Sequence, residues 1–231
     1  MTYNEFMAGI GEYRGLFEKG LKKQANKQLF KFAEDFKTNV SEAEADGILF
    51  RFCREYFDQK ALPSALTHDQ LPFQLTGLLN DYLNRECSKE KMPQMRWAFQ
   101  LYGRYYNPHD PQNEHDPFDI LKKAYEHPEC DQKTVDLYFN EQVEWLYWGA
   151  HHFPDSCIIS RESYRETVKT AEKILSEKTV APALIEEFSY YVGLYELFYE
   201  WSDSGRKGDF EELCEKSGHK FHAVKAFYYK K

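Results

Sequence analysis

Long apolar runs and sheet-forming segments are both missing from this chain of 231 residues. No run approaches the roughly 18 apolar residues that a helix needs to cross a bilayer. No stretch rich in Val, Ile and Thr alternates with polar residues between turns, so no β-sheet is expected. The opening residues MTYNEFMAGIGEYRG also lack the basic and then apolar order of a secretory signal. The sequence therefore predicts a soluble, cytoplasmic protein without a membrane-spanning segment.

Sequence motifs for metal, redox and phosphate chemistry are scarce as well. The five cysteines are an odd number, widely spaced and without a Cys-x-x-Cys pair, which argues against a disulfide framework and a structural zinc site. A glycine-rich phosphate loop, a nucleophile elbow and a His-Glu-x-x-His motif are absent. The formal net charge of −8 leaves no broad basic surface for nucleic acid. No cofactor is expected, neither nucleic acid nor membrane is expected as a partner, and a protein without enzymatic activity is favoured.

Aromatic residues and helix-start signals are abundant. The chain contains 17 Tyr, 18 Phe and 4 Trp, whose rings bury large areas and, for Tyr and Trp, carry a polar group. Residues that favour the start of a helix recur along the chain, at Ser41, Thr67 (with Gln70 completing a capping box and Pro72 in the expected first turn), Pro93, Asp116, Asp131, Ser160, Thr179 and Asp209. The apolar spacing behind them is helical, so the sequence predicts an all-α fold of about eight to ten helices without a sheet.

The helices group into a single expected domain, 1–231. It would comprise an N-terminal helical pair over 1–40, packed on a helical array over 41–217, and a tail or short helix over 218–231. Pairing the helices gives units of roughly 35 to 47 residues, which favours an irregular αα-superhelix resembling a helix-pair solenoid. A multi-helix bundle is the alternative.

Three His-Asp pairs raise the question of a metal site, because helical phosphohydrolases hold metal ions with such pairs. Two of them lie in NPHDPQNEHDPFD, residues 107–119, and the third lies at 68–69. Prolines on both sides of His109-Asp110 exclude the helix on which such ligands normally sit. Asp116 stands where a helix N-cap is expected, before a proline at the first helical position. We therefore interpret 107–115 as a connection, and a metal-dependent hydrolase using His and Asp is the least favoured function.

Two apolar or aromatic stripes run along the helix predicted near 132–150. The stripe expected to face the core consists of Val135, Phe139, Gln142, Leu146 and Gly149. The second stripe, about 90° away, consists of Glu141, Trp145, Trp148 and His152. It could pack on a neighbouring helix, or it could bind a partner, because partly exposed Trp anchors carry much of the binding energy in many interfaces.

The helix predicted near 181–202 places one carboxylate, Glu187, between two apolar stripes. These stripes consist of Leu184, Phe188, Tyr191, Tyr195 and Phe198, and of Tyr190, Leu194, Leu197 and Trp201. A buried carboxylate needs hydrogen-bond donors or loses its charge. The pattern therefore predicts that Glu187 is largely buried and accepts hydrogen bonds from tyrosine hydroxyls.

An aromatic surface flanked by acidic residues favours a protein- or peptide-binding module, such as an adaptor or a toxin-neutralising protein, for which a basic partner is suited. Its candidate binding residues are Glu141, Trp145, Trp148, His152, Glu187, Tyr190 and Tyr191. The alternative is a regulator that holds a small aromatic or cationic ligand in a ring-lined cavity. The sequence leaves the oligomeric state open.

Overall fold

The computed structural model describes residues 1–59, 66, 71–105 and 116–221, except for the side chains of 103–105. Within these ranges the chain forms ten α-helices, one π-helical turn and no β-strand, so the all-α prediction is confirmed. The chain divides into two compact units, Met1–Glu129 and Cys130–Lys231, and each is described by itself. The single domain over 1–231 stays a prediction.

The first unit is a small helical bundle. Its helices are α1 (Tyr3–Glu18), α2 (Lys22–Asn39), α3 (Glu42–Cys53), α4 (Phe73–Ser88), α5 (Gln94–Tyr105) and α6 (Pro117–Glu126), with a π-helical turn, Arg54–Gln59, directly after α3. The expected N-terminal pair is present, because α1 packs on α2 with the rings of Phe6 and Phe36 5.1 Å apart.

Side-chain caps begin two of these helices as predicted. The Glu44 carboxylate accepts hydrogen bonds from the backbone N–H of Ser41 at 3.3 Å and from its hydroxyl at 2.8 Å. The Asp116 carboxylate accepts one from the backbone N–H of Phe118 at 2.8 Å. The connection predicted over 107–115 and the His-Asp pair at 68–69 lie outside the described residues.

A buried ion pair joins α5 to the π-helical turn. Arg96, whose side chain is 2% exposed, donates to the two carboxylate oxygens of Asp58 at 2.7 and 3.3 Å. The indole N–H of Trp97 donates to the same carboxylate at 3.1 Å. Two charges can lie this deep only when each compensates the other, so this pair fixes where the turn lies against α5.

The second unit contains four helices: α7 (Gln132–Ala150), α8 (Arg161–Glu177), α9 (Pro182–Asp203) and α10 (Phe210–Lys216). The predicted caps Asp131, Ser160 and Asp209 accept hydrogen bonds from first-turn N–H groups at 2.8 to 3.0 Å. The start expected at Thr179 lies slightly later, with a proline in the first turn of α9. Within the described ranges, no helix combines the length and apolar character needed to span a bilayer.

Helices α7 and α9 are parallel and closely packed. Their ring pairs advance together along the chain, from Phe139–Phe188 at 5.5 Å through Tyr147–Tyr191 at 6.1 Å to Phe198 and Phe153, in the turn after α7, at 3.9 Å.

A glycine permits this close approach. The Tyr195 hydroxyl of α9 donates to the carbonyl oxygen of Leu146 on α7 at 3.0 Å. A Cβ on Gly149 would overlap that hydroxyl and lie 2.7 Å from Cγ1 of Ile159. Gly149 is therefore required by space, although it lies within a regular helix.

Candidate functional site

Large exposed rings cluster on α7 in the second unit. Trp148, Trp145 and Tyr147 are 55%, 50% and 38% exposed. The Tyr147 ring lies 5.4 Å from Trp148, 6.0 Å from His151 and 6.1 Å from Tyr191 on α9. Contiguous exposed apolar surface of this kind is a mark of interaction sites. We call Tyr147, Trp148, His151 and Tyr191 the ring cluster.

The rings of this cluster are inclined to one another instead of stacked. Their planes meet at angles between 54° and 69°, which is the edge-to-face range that aromatic pairs favour. In such a pair the edge of one ring covers at most one face of the other. Trp148 and Tyr147 keep 55% and 38% of their surface exposed, so part of each ring can contact a binding partner.

A cleft of about 180 Å³ adjoins the ring cluster. It is lined by Tyr147, Ala150, His151, Phe153, Tyr190, Tyr191, Leu194 and Phe221. This volume is many times the roughly 10–15 Å³ that one water molecule needs. The cleft therefore has room for one long side chain and lies below the roughly 300 Å³ at which small-molecule pockets begin.

The side chains of the second predicted stripe on α7, which includes Trp145, Trp148 and His152, point in two directions. Trp148 belongs to the ring cluster, and the exposed His152 lies 5.2 Å from His151. Trp145 instead turns toward α8, where its indole N–H donates to the Ser163 hydroxyl at 3.2 Å. Both indoles are half exposed, so packing in the core does not account for them, and their role in binding stays a prediction.

Tyr190 and Tyr191 lie together, with ring centres 5.1 Å apart, but they serve different contacts. The Tyr190 ring stacks on His219 at 5.3 Å, and its hydroxyl donates to the carbonyl oxygen of Lys220 at 3.1 Å. Tyr190 therefore holds the residues after α10 against α9. Tyr191 is the ring that faces Tyr147.

The prediction that Glu187 is buried is wrong, because its side chain is exposed. Glu187, Tyr191 and Leu194 share one face of α9 at positions i, i+4 and i+7, but this face is not turned inward at Glu187. Tyr191 and Leu194 line the cleft, so this face borders open space at Glu187 instead of the core. No described residue forms a hydrogen bond or ion pair with its carboxylate.

Glu144 holds the matching position on α7. It is exposed and shares one face with Tyr147 and His151 at positions i, i+3 and i+7. Since α7 and α9 are parallel, each carboxylate lies one helical turn before the tyrosine of its own helix, next to the same end of the cleft, although neither residue lines it. Burial, followed by the negative charge of Glu187 and with a smaller effect of Glu144, raises the pKa of Tyr191 to about 12.

A third carboxylate, that of Glu141 on α7, has an altered proton affinity. Burial, followed by the charge of Glu144, raises its pKa from an ordinary 4.5 to about 7. The folded protein therefore binds this proton more tightly than the unfolded chain does. Any stabilisation from the proton is fully present below about pH 4.5 and is lost as the pH rises to about 7.

The core stripe of α7 is predicted correctly in four of five positions, since Val135, Phe139, Leu146 and Gly149 are buried. Gln142 is only half buried. The buried residue on that side is its neighbour, Val143.

Sequence reasoning missed Tyr147, His151 and Glu144. At about 100° per residue, Tyr147 and Trp145 lie on opposite flanks of Leu146, which marks the core direction. This arithmetic is sufficient to place Tyr147 beside a neighbouring helix. It cannot show that the neighbour carries Tyr191 at the same level.

Neither a metal-binding geometry nor a known relative assigns a role to this surface. Among the residues that the structure describes, no group of three or more His, Cys, Asp or Glu is arranged to hold a metal ion. In comparisons with protein-family models, with curated proteins and with solved structures, nothing matches the chain.

Proposed function

We propose that the protein is a cytoplasmic protein- or peptide-binding module of the adaptor or toxin-neutralising type, which binds a basic segment of its partner. The observation that carries the proposal is the half-exposed Trp145 and Trp148 beside Tyr147 in a folded, well-packed unit. Trp and Tyr are the residues most enriched among those that dominate interface energies. No catalytic role is proposed for these residues.

Charge selects the kind of partner. The ring cluster is bordered by the exposed carboxylates of Glu144 and Glu187, and the whole chain has a net charge of −8. Such a surface attracts basic segments and repels acidic ones. The five cysteines are all free thiols, as is usual in the reducing cytosol.

A small-ligand regulator is the weaker alternative. Its cavity would have to enclose most of the ligand, whereas the cleft beside the ring cluster measures only about 180 Å³. A peptide can place one side chain in this cleft and lay the rest of its surface on the exposed indoles.

The test is selection of binding peptides from a displayed library of short random sequences, followed by measurement of Kd by fluorescence anisotropy. Peptides enriched in Lys and Arg are expected to bind. Trp148→Ala should weaken binding at least about tenfold, or ~1.4 kcal/mol. Phe30→Ala is the matched control, because Phe30 is 60% exposed against 55% for Trp148 but lies in the first unit.

Two outcomes would contradict the proposal. One is the selection of acidic peptides only, which would refute the basic partner. The other is equal binding by the wild type and by a Trp145→Ala, Trp148→Ala double variant that circular dichroism shows to be folded. That result would place the binding surface elsewhere.

A further inference from the structure

The cleft between α7 and α9 has apolar walls and one acidic end. Six of its eight lining residues carry aromatic or imidazole rings: Tyr147, His151, Phe153, Tyr190, Tyr191 and Phe221. The exposed carboxylates of Glu144 and Glu187 lie on the cleft-lining faces of the two helices, one turn before the facing tyrosines. The cleft is therefore apolar along its walls and negatively charged near one end.

A side chain that binds in this cleft must match both its apolar walls and its acidic end. Its stem must be apolar and about the length of one extended side chain, and its tip must be cationic. Lys and Arg side chains have this build, because they bury their methylene stems along apolar surface while the charged group stays near water. A cation within about 6 Å of a ring centre is also attracted to the face of Tyr or Trp.

Arginine suits the tip better than lysine. Its planar guanidinium can stack on an aromatic face and donate to carboxylates in the same plane, whereas the lysine ammonium is a compact, strongly hydrated charge. Open ring faces and two carboxylates are the groups that a guanidinium uses.

We infer that this cleft is the anchor subsite for an arginine side chain of the partner, with the guanidinium at the end marked by Glu144 and Glu187 and the stem along Tyr147 and Tyr191. The inference rests on the proposed function and adds the residue that the site recognises. Tyr147, His151 and Tyr191 of the ring cluster supply part of the walls, and the two carboxylates supply the specificity for charge.

The experiment uses N-acetyl-arginine amide as the probe and N-acetyl-citrulline amide as its neutral counterpart of the same shape. Binding to the full chain is followed by NMR through the indole N–H signals of the four tryptophans. The arginine probe should shift the Trp148 signal and leave that of the fully buried Trp97 unchanged. Citrulline should bind at least about fivefold more weakly, as expected when a favourable charge contact of ~1 kcal/mol is lost.

Single substitutions test the acidic end. Glu187→Gln and Glu144→Gln should each weaken arginine binding about three- to fivefold, which is the effect of one exposed charge pair. Glu186→Gln is the matched control, because Glu186 is also a carboxylate of α9 but lies about 100° away from Glu187. High salt should reduce the difference between arginine and citrulline.

Equal affinity for the arginine and citrulline probes would overturn the inference. So would an affinity for the arginine probe that neither Glu144→Gln nor Glu187→Gln reduces. Its failure can be told apart from failure of the proposed function. Selected peptides that need Trp148 but bind equally to the wild type and to Glu187→Gln would leave the proposed function standing and refute the arginine subsite. An arginine probe that binds while no peptide depends on Trp148 would support the subsite and refute the proposed function.

Discussion

Substitution of Gly149 by alanine has two opposite effects on stability, a gain in helix propensity and a loss in packing. The structure predicts that the loss in packing is the larger. In an unobstructed helix interior the change should stabilise the fold by about 0.5–1 kcal/mol, because glycine loses more backbone entropy on folding. At Gly149 the added Cβ would overlap the Tyr195 hydroxyl and stand 2.7 Å from Cγ1 of Ile159. Both groups belong to well-packed parts of the second unit.

Two losses determine how much Gly149→Ala lowers the free energy of unfolding, overpacking and a broken hydrogen bond. Overpacking by one methyl group costs about 1–3 kcal/mol. Displacing Tyr195 also breaks its buried hydrogen bond to the Leu146 carbonyl, at 3.0 Å, which is worth about 0.5–1.5 kcal/mol. After the gain in helix propensity is subtracted, Gly149→Ala should lower the free energy of unfolding by about 2 kcal/mol.

Urea unfolding followed by tryptophan fluorescence measures this change. Trp145, Trp148 and Trp201 all lie in the second unit, so the signal reports mainly on it. The control is Gly47→Ala in α3, where nothing lies within 4 Å of the added Cβ and a small stabilisation is expected. A stabilised Gly149→Ala variant would refute the close packing of α7 on α9 and, with it, the pairing of Tyr147 with Tyr191.

Three further substitutions test separate parts of the chain. Glu141→Gln should raise the free energy of unfolding at about pH 8 by on the order of 1–2 kcal/mol, after allowance for solvent screening, and leave it nearly unchanged at about pH 3.5, below the ordinary pKa of the carboxyl. Urea titrations at both pH values check this, and an equal effect at the two values would contradict it. Asp58→Asn should cost about 2–4 kcal/mol in thermal or urea unfolding, because Arg96 keeps its buried charge and loses its counter-charge. Asp116→Ala should cost about 1 kcal/mol through loss of the α6 cap, and no change would mean that the cap hydrogen bond to the Phe118 N–H is not maintained in solution.

The helices themselves could be predicted from local signals. Caps such as Ser41, Asp116, Asp131 and Ser160 act within the first turn that follows them, so the residues that decide the start are adjacent in sequence. The cap of α9 is Ala181 instead of Thr179, a difference of about two residues, which is the usual uncertainty of helix ends.

Exposure could not be predicted in the same way, because it depends on what covers a helical face. Periodicity places Glu187 on the face of Tyr191 and Leu194 correctly, yet that face opens onto the cleft. On α7, the packing around Glu141 is close enough to raise its pKa to about 7. The sequence therefore predicts a buried carboxylate on α9, whereas the partly buried carboxylate with a raised pKa lies on α7.

The pairing of the two carboxylates at one end of the cleft follows from the direction of the helices and from their register. Short connections such as the one between α8 and α9 favour antiparallel neighbours, and two successive reversals make α7 and α9 parallel. An antiparallel α9 would carry Glu187 to the opposite end of the cleft from Glu144. The direction is thus implicit in the chain order. The register, which places Tyr191 rather than another residue beside Tyr147, requires the contact of Tyr195 with α7 at Gly149, and that contact is defined only in three dimensions.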